Sequence, residues 1–227
     1  MSQVLMSAAT AGTLAIFGGR GVGVLAASTF RRAVGDGAPI LGFLNDVEEK
    51  GAVIAGLAVL GSFASWPELP SEARFIAPLH KANEMLRRVK RIEGLGVPGE
   101  RWANVVDPAA LIADGVLNGT GTWAQAGAMA MEGGRVGSHV ALRAGCQVSH
   151  DCDISDYVSI GMSAILCGRI TVGHGAYIAA GAVIRDGVSV GSFSVVGLGA
   201  VVVEDVPPGA IVAGNPARVI DQTDARC

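Results

Sequence analysis

From Val106 to Val202 the chain repeats every six residues without an insertion. The positions are Val106, Ile112, Asn118, Ala124, Ala130, Val136, Leu142, Val148, Ile154, Ile160, Leu166, Val172, Ile178, Ile184, Val190, Val196 and Val202, and from Val136 onward every one is aliphatic. Glycine often follows (Gly137, Gly161, Gly173, Gly191, Gly197), and the residue two places before each aliphatic is mostly small, as in Cys146, Cys152, Ala164, Ala176, Ala182, Ser194 or Ala200. A large inward aliphatic with a small residue before each corner winds a triangular prism. Each unit supplies one short parallel strand and a turn, and about 18 residues close a coil. With 33 glycines, 50% hydrophobic and 5% aromatic residues, the core must be built of small and β-branched side chains, and disorder is excluded. The first third of the repeat is weaker, with Asn118, Ala124 and Ala130 in aliphatic slots beside Trp123 and Met129, so those coils are expected to be looser or covered by the N-terminal half. An open prism end would add strands, so a cap is expected from Val206–Ile220, with Pro207 and Pro208 stopping the ladder.

The first half reads differently. A strand, Thr13–Phe17, runs through Gly18-Gly19-Arg20-Gly21-Val22-Gly23 into a helical stretch, Val24–Val34; such a turn brings backbone N–H groups to a phosphate at a helix N-terminus. Ile40–Leu44, Val53–Gly61, a strand Arg74–Ala77 and a helix near Asn83–Ile92 continue a βαβ-like alternation, a small parallel sheet whose ligand would sit at the carboxyl ends of its strands.

The hexapeptide unit resembles that of the hexapeptide-repeat acyltransferases, and the resemblance implies their left-handed parallel β-helix, an exception to the usual right-handed crossover. Together with Gly18-x-x-Gly21-x-Gly23, Gly42-Phe43-Leu44-Asn45-Asp46 and Ala55–Gly61, the chain is similar from about Leu14 to Ile220 to the sialic acid O-acetyltransferase group of sugar acyltransferases. That group includes N-acetyltransferases acting on UDP- or GDP-linked 4-amino-4,6-dideoxy sugars in glycan pathways. The resemblance implies a Rossmann-like α/β domain over residues 1–104 that holds the nucleotide sugar, then a β-helix domain over 105–227 that holds acetyl-CoA. Gly18, Gly19, Arg20 and Gly21 would face the diphosphate, and Asn45 and Asp46 the base. Two departures fall in this region: Arg20 replaces a small residue, and Pro78-Leu79-His80-Lys81 stands where Gly-Asp-Asn is common. Relatives pack three prisms about a threefold axis with acetyl-CoA between them, which implies a homotrimer.

Among the four histidines, His150 lies on a turn two places after Val148, within Val148-Ser149-His150-Asp151-Cys152. An amine or hydroxyl attacking a thioester must lose a proton, and imidazole is suited to accept it. The resemblance makes His150 the general base and Asp151 the acid that holds it. Residues 18 apart stack about 4.8 Å from one another, which places Glu132, Gly168 and Asp186 in the column of His150. Gly168 leaves room beside the imidazole and could offer its N–H to an oxyanion. The resemblance also assigns acetyl-CoA contacts to Gly168 and Ala180, and to Asn215, Pro216 and Arg218 in the tail Gly209–Arg218. His174 is expected on the surface, His139 matches no catalytic motif, and Arg143 replaces an Asn common in relatives.

A hydroxyl acceptor, as in sialic acid O-acetylation, is the alternative reading, and a non-catalytic nucleotide-sugar scaffold a further one. A zinc hydratase of the prism type would need three histidines between subunits, and His150 and His174 fall on different faces. Cys146, Cys152, Cys167 and Cys227 lack metal spacing, and the first three fit the periodic wall, so no metal is expected. A net charge of -3, with Arg87–Arg91 read as a solvated helix face, argues against nucleic acid. Met1–Gly12 carries no positive n-region and Val53–Ala64 is too short and glycine-broken to span a bilayer, so neither secretion nor insertion is expected, and the location would be cytoplasmic.

Overall fold

The computed structural model describes residues 12–35 and 37–223; all of the stretch Met1–Gly12 but Gly12, and Cys227, lie outside the described residues. The first half forms β1 (Leu14–Phe17), α1 (Val22–Val34), β2 (Ile40–Leu44), β3 (Val53–Ile54), β4 (Leu57–Gly61), β5 (Arg74–Ile76) and α2 (Met85–Glu93). The sheet order is β3-β4-β2-β1-β5. Only β3 runs antiparallel, so Val53–Gly61 is a hairpin rather than another crossover unit. Its two turn residues, Ala55 and Gly56, both have positive φ, as a two-residue hairpin turn requires.

α1 is amphipathic, and its buried side, Ala26, Ala27 and Phe30, packs with Leu14, Ile16 and Phe43 of the sheet and with Val105, Trp123 and Ala141 of the repeat. The helix is therefore a middle layer between sheet and prism. The opposite sheet face, with Phe17, Leu44 and Phe75, is covered by Val89 and Ile92 of α2, Trp102 and Tyr157.

The repeat region coils as three parallel ladders. One wall stacks Val105, Trp123, Ala141, Ser159, Tyr177 and Val195; the second stacks Leu111, Met129, Gln147, Ile165, Val183 and Val201; the third stacks Arg135, Asp153, Thr171 and Ser189. Every pairing joins residues 18 apart, and the six-step aliphatics from Val136 to Val202 fill one continuous core. Glycines after the aliphatics stand where the next coil passes: a Cβ on Gly161 would lie 2.5 Å from the Ala180 nitrogen. The weak first third is covered by the N-terminal half, through Trp123, and its third wall is reduced to a single bridge, Leu117 to Val136.

The cap differs from expectation in one respect. Pro207 and Pro208 end one ladder, but the wall of Val195–Val196 gains a further parallel strand, Ala210–Gly214, which Ala217–Gln222 then covers antiparallel.

Candidate active site

His150 follows the strand Gln147–Val148 at the corner between the second and third walls. Asp151, the next residue, has φ 57. In a strand adjacent side chains point to opposite faces, but this left-handed turn brings the two together, and Asp tolerates that backbone better than most residues. His150 Nδ1 lies 2.8 Å from Asp151 Oδ2. A carboxylate only accepts, so Nδ1 carries the hydrogen, and in the neutral imidazole the lone pair then sits on Nε2. Both side chains are about half exposed, 51% and 57%, so the pair is open to a ligand.

Gly168 stacks beside the imidazole as its spacing predicts. A Cβ there would stand 2.5 Å from His150 Nε2 and 2.9 Å from Asp186 Oδ1. Any side chain would thus fill the space in front of the basic nitrogen. The Gly168 N–H donates to none of the described residues, while its neighbours Cys167 and Arg169 use theirs in the ladder. A groove of about 460 Å³ passes over this point, lined by His150, Gly168, Cys167, Ser149, Asp186 and apolar Met129 and Ile165.

A second cavity, about 340 Å³, lies at the carboxyl ends of β1 and β2. It brings together Gly18, Gly19, Arg20, Asn45 and Asp46, while Gly21 caps α1 at φ 73 without lining it. α1 has no side-chain cap and no acid in its first turn; Val24 N–H donates to the Gly19 carbonyl at 3.2 Å, which leaves the N–H groups of Val22 and Gly23 for an anion. Asn45 is committed to the loop itself: its Oδ1 accepts from the Val47 and Glu48 N–H groups at 2.7 and 3.1 Å, and its Nδ2 donates to the Gly18 carbonyl at 3.2 Å. A Cβ on Gly19 would lie 2.2 Å from Asn45 Nδ2, so a side chain there would push Asn45 out of these bonds. Asp46 accepts from Phe63 N–H at 2.7 Å and pairs with Arg91. Arg20 pairs with Glu48 at 2.8 Å. The sequence reading missed the far wall of this cleft, which is Phe63, Leu79, Arg88 and Arg91; the last two belong to the helix face expected to be solvated.

Other candidates fall elsewhere. Ala180 sits at the corner between the first and second walls, and Asn215 and Pro216 form the turn of the C-terminal hairpin beside exposed Arg218; none of them lines the groove of His150. His174 is not a free surface histidine. Trp102, His139, Tyr157, His174 and Phe193 form an aromatic ladder with centroids 4.6 to 5.3 Å apart. His80 Nε2–H donates to the His139 carbonyl at 2.9 Å, and burial lowers both imidazoles to about 4. Arg143 packs 5.0 Å over Trp123 and donates to Gln125 Oε1 at 2.8 Å, and burial depresses its basicity. Among the described residues no cluster of three His, Cys, Asp or Glu could hold a metal ion, and no helix is long and apolar enough to cross a membrane.

No family model matches the chain. Over 75 residues it is 33% identical to the 2,3,4,5-tetrahydropyridine-2,6-dicarboxylate N-acetyltransferase of Clostridium perfringens, covering 33% of this chain and 24% of that protein. The enzyme of the same name from Staphylococcus aureus is 39% identical over 69 residues, 30% of this chain and 21% of that protein. The chain thus spans at most a quarter of the length of these curated relatives. Whole-chain likeness comes from solved structures. The acetyltransferase domain of PglB from Neisseria gonorrhoeae, in complex with acetyl coenzyme A, superposes with TM-score 0.81 at 27% identity over 92% of this chain and 98% of that one. WeeI from Acinetobacter baumannii gives 0.76 at 26% identity over 92% and 99%. A perosamine N-acetyltransferase from Caulobacter crescentus, in complex with CoA and GDP-perosamine, shares the fold at 0.81 with 22% identity over 93% and 98%.

Proposed function

We propose that this hexapeptide-repeat sugar acyltransferase moves the acetyl group of acetyl-CoA onto the amino group of a nucleotide-linked 4-amino-4,6-dideoxy sugar for glycan synthesis, without a metal. The observation that carries the reading is the His150–Asp151 pair at 2.8 Å with Gly168 leaving Nε2 open. The acceptor attacks as the neutral amine, since an ammonium has no lone pair, and its nitrogen becomes cationic on bonding to carbon, so one proton must leave it. In the proposed step the amine nitrogen bonds to the thioester carbon, His150 Nε2 takes the amine proton, and Asp151 stabilises the imidazolium. The carbonyl oxygen, now an oxyanion, receives the Gly168 N–H. Collapse breaks the C–S bond, and the departing thiolate takes the proton back from His150. No acyl-enzyme forms.

Acetyl-CoA is read into the His150 groove because the PglB domain, similar along the whole chain, binds it. Ala180, Asn215, Pro216 and Arg218 would then hold the remainder of the coenzyme. The acceptor is read into the β1–β2 cleft from the resemblance in the Gly18–Gly23 turn and the Asn45-Asp46 loop. In this reading residues 1–104 are a Rossmann-like nucleotide-sugar domain and 105–227 a left-handed β-helix, and three copies assemble with each groove between two of them. Exposed Leu111, Ile165, Met162 and Leu198, on the second wall and its corner, support such an apolar contact.

The test is release of free thiol from acetyl-CoA with UDP-, GDP- and dTDP-linked 4-amino sugars and with sialic acid, on wild type and His150→Ala. Turnover with one amino sugar, lost about a hundredfold or more in the variant, is the expected result. Turnover on sialic acid alone moves the acceptor to a hydroxyl, and equal activity of the variant removes His150 as the base.

A further inference from the structure

The far wall of the β1–β2 cleft contains a guanidinium whose hydrogen bonding is incomplete. Arg88 lines the cleft from α2, its side chain is only 28% exposed, and its Nε is buried with no partner. An N–H buried without an acceptor is rare and costly, which sets Arg88 apart from Arg20 and Arg91. Its one carboxylate neighbour is shared. Glu84 accepts from Arg88 at 2.9 Å and also pairs with Lys81 and Arg87, which help hold that carboxyl down to about 2. Lys81, Glu84 and Arg87 stand outside the cleft lining, and within it Arg20 and Arg91 are each matched by a carboxylate of their own, Glu48 and Asp46, while Arg88 is not. Across the cleft stand Arg20, the Gly18-Gly19 turn and the uncapped N-terminus of α1. Arg91 behaves differently: it pairs with Asp46 and lies 4.6 Å over the Phe63 ring, so it braces the loop that Asp46 anchors.

We propose that Arg88 is a substrate-binding residue that takes the diphosphate of the nucleotide sugar, opposite the α1 N-terminus, and that Arg91 is a positioning residue for the Asn45–Glu48 loop. The inference rests on the acceptor reading above. A planar guanidinium presents two parallel N–H groups to a phosphate, which a lysine at this position would not reproduce. Coenzyme A carries a diphosphate as well, so the source of the phosphate has to be separated experimentally.

The experiment is calorimetric titration of wild type, Arg88→Ala and Arg88→Lys with UDP, GDP, dTDP, UMP, GMP, dTMP and acetyl-CoA. The expected result is that wild type binds one nucleoside diphosphate, that both variants lose about tenfold or more of that affinity, and that they lose less for the matching monophosphate. Acetyl-CoA affinity stays at the wild-type level, which also shows that the variants are folded. Equal diphosphate affinity in wild type and Arg88→Ala overturns the assignment while leaving the acceptor reading intact. Loss confined to acetyl-CoA overturns it by moving the arginine to the coenzyme. Wild type binding none of UDP, GDP and dTDP removes both readings together. For Arg91→Ala the expectation is weaker binding of diphosphate and monophosphate alike; an effect on the diphosphate alone overturns its positioning role.

Discussion

The indole N–H of Trp123 donates to the Thr29 hydroxyl at 3.0 Å, joining α1 to the first wall of the prism across 94 residues of sequence. Both partners are buried, and the Thr29 hydroxyl also donates to the Leu25 carbonyl at 3.0 Å. Thr29→Val keeps the shape of the side chain and strands the indole N–H. A loss of about 1–3 kcal/mol in denaturant unfolding is expected, and Thr29→Ser should recover most of it.

Gly168→Ala tests the space in front of His150. The added methyl would stand 2.5 Å from Nε2, the end of a half-exposed side chain that can swing aside. Activity should therefore fall about tenfold or more while the thermal midpoint moves little. Acetyl-transfer rates and a melting curve on the same preparation check it; unchanged turnover would place the reaction elsewhere.

Asp151→Asn tests the tautomer. The amide can donate as well as accept, so it no longer requires the hydrogen to sit on His150 Nδ1. A fall in kcat of about tenfold or more with little change in acetyl-CoA affinity is expected, read by steady-state kinetics and by calorimetry.

Acid should loosen the contact between the two halves. Burial lowers His80 and His139 to about 4, below the 6.5 of a solvated imidazole. Between those values the unfolded chain binds more protons than the folded one, so stability falls as pH drops from about 6.5 toward 4. Denaturant midpoints measured across this range should decline with acid. Replacing one titrating group, in His80→Gln, should flatten the slope; an unchanged slope would assign the acid effect to other groups.

The coil was legible because a solenoid is nearly one-dimensional. Each residue's environment is set by neighbours 18 positions away, so the six-residue period by itself determined the walls, the stacking of Gly168 beside His150 and the core from Val136 to Val202. A second six-residue signal in the turns passed unread. Positive φ recurs at Gly133, His139, Gly145, Asp151, Tyr157, Ser163, Arg169 and Gly175, and glycine fills only part of that column. Because Asp, His and Tyr also occupy these corners, no residue type announces it.

The N-terminal half shows the opposite case. Its sequence marked β1, α1, β2 and the glycine turn through local chemistry, yet it could not distinguish the hairpin at Val53–Gly61 from a crossover strand, since both need alternating apolar residues and glycine. It located α2, near Asn83–Ile92, but not the direction its arginines face. The arginines of Arg87–Arg91 read as a solvated face, and their helical spacing is correct for one. Only packing of Val89 and Ile92 against the sheet turns Arg88 and Arg91 toward the cleft and exposes Arg87. The same holds for the aromatic ladder, where His139, Tyr157 and His174 become one stack because the N-terminal half covers that corner with Trp102. A repeat carries its own ruler in the sequence, whereas contacts between unlike elements depend on how two separately formed surfaces meet, and that is decided only when the chain is folded.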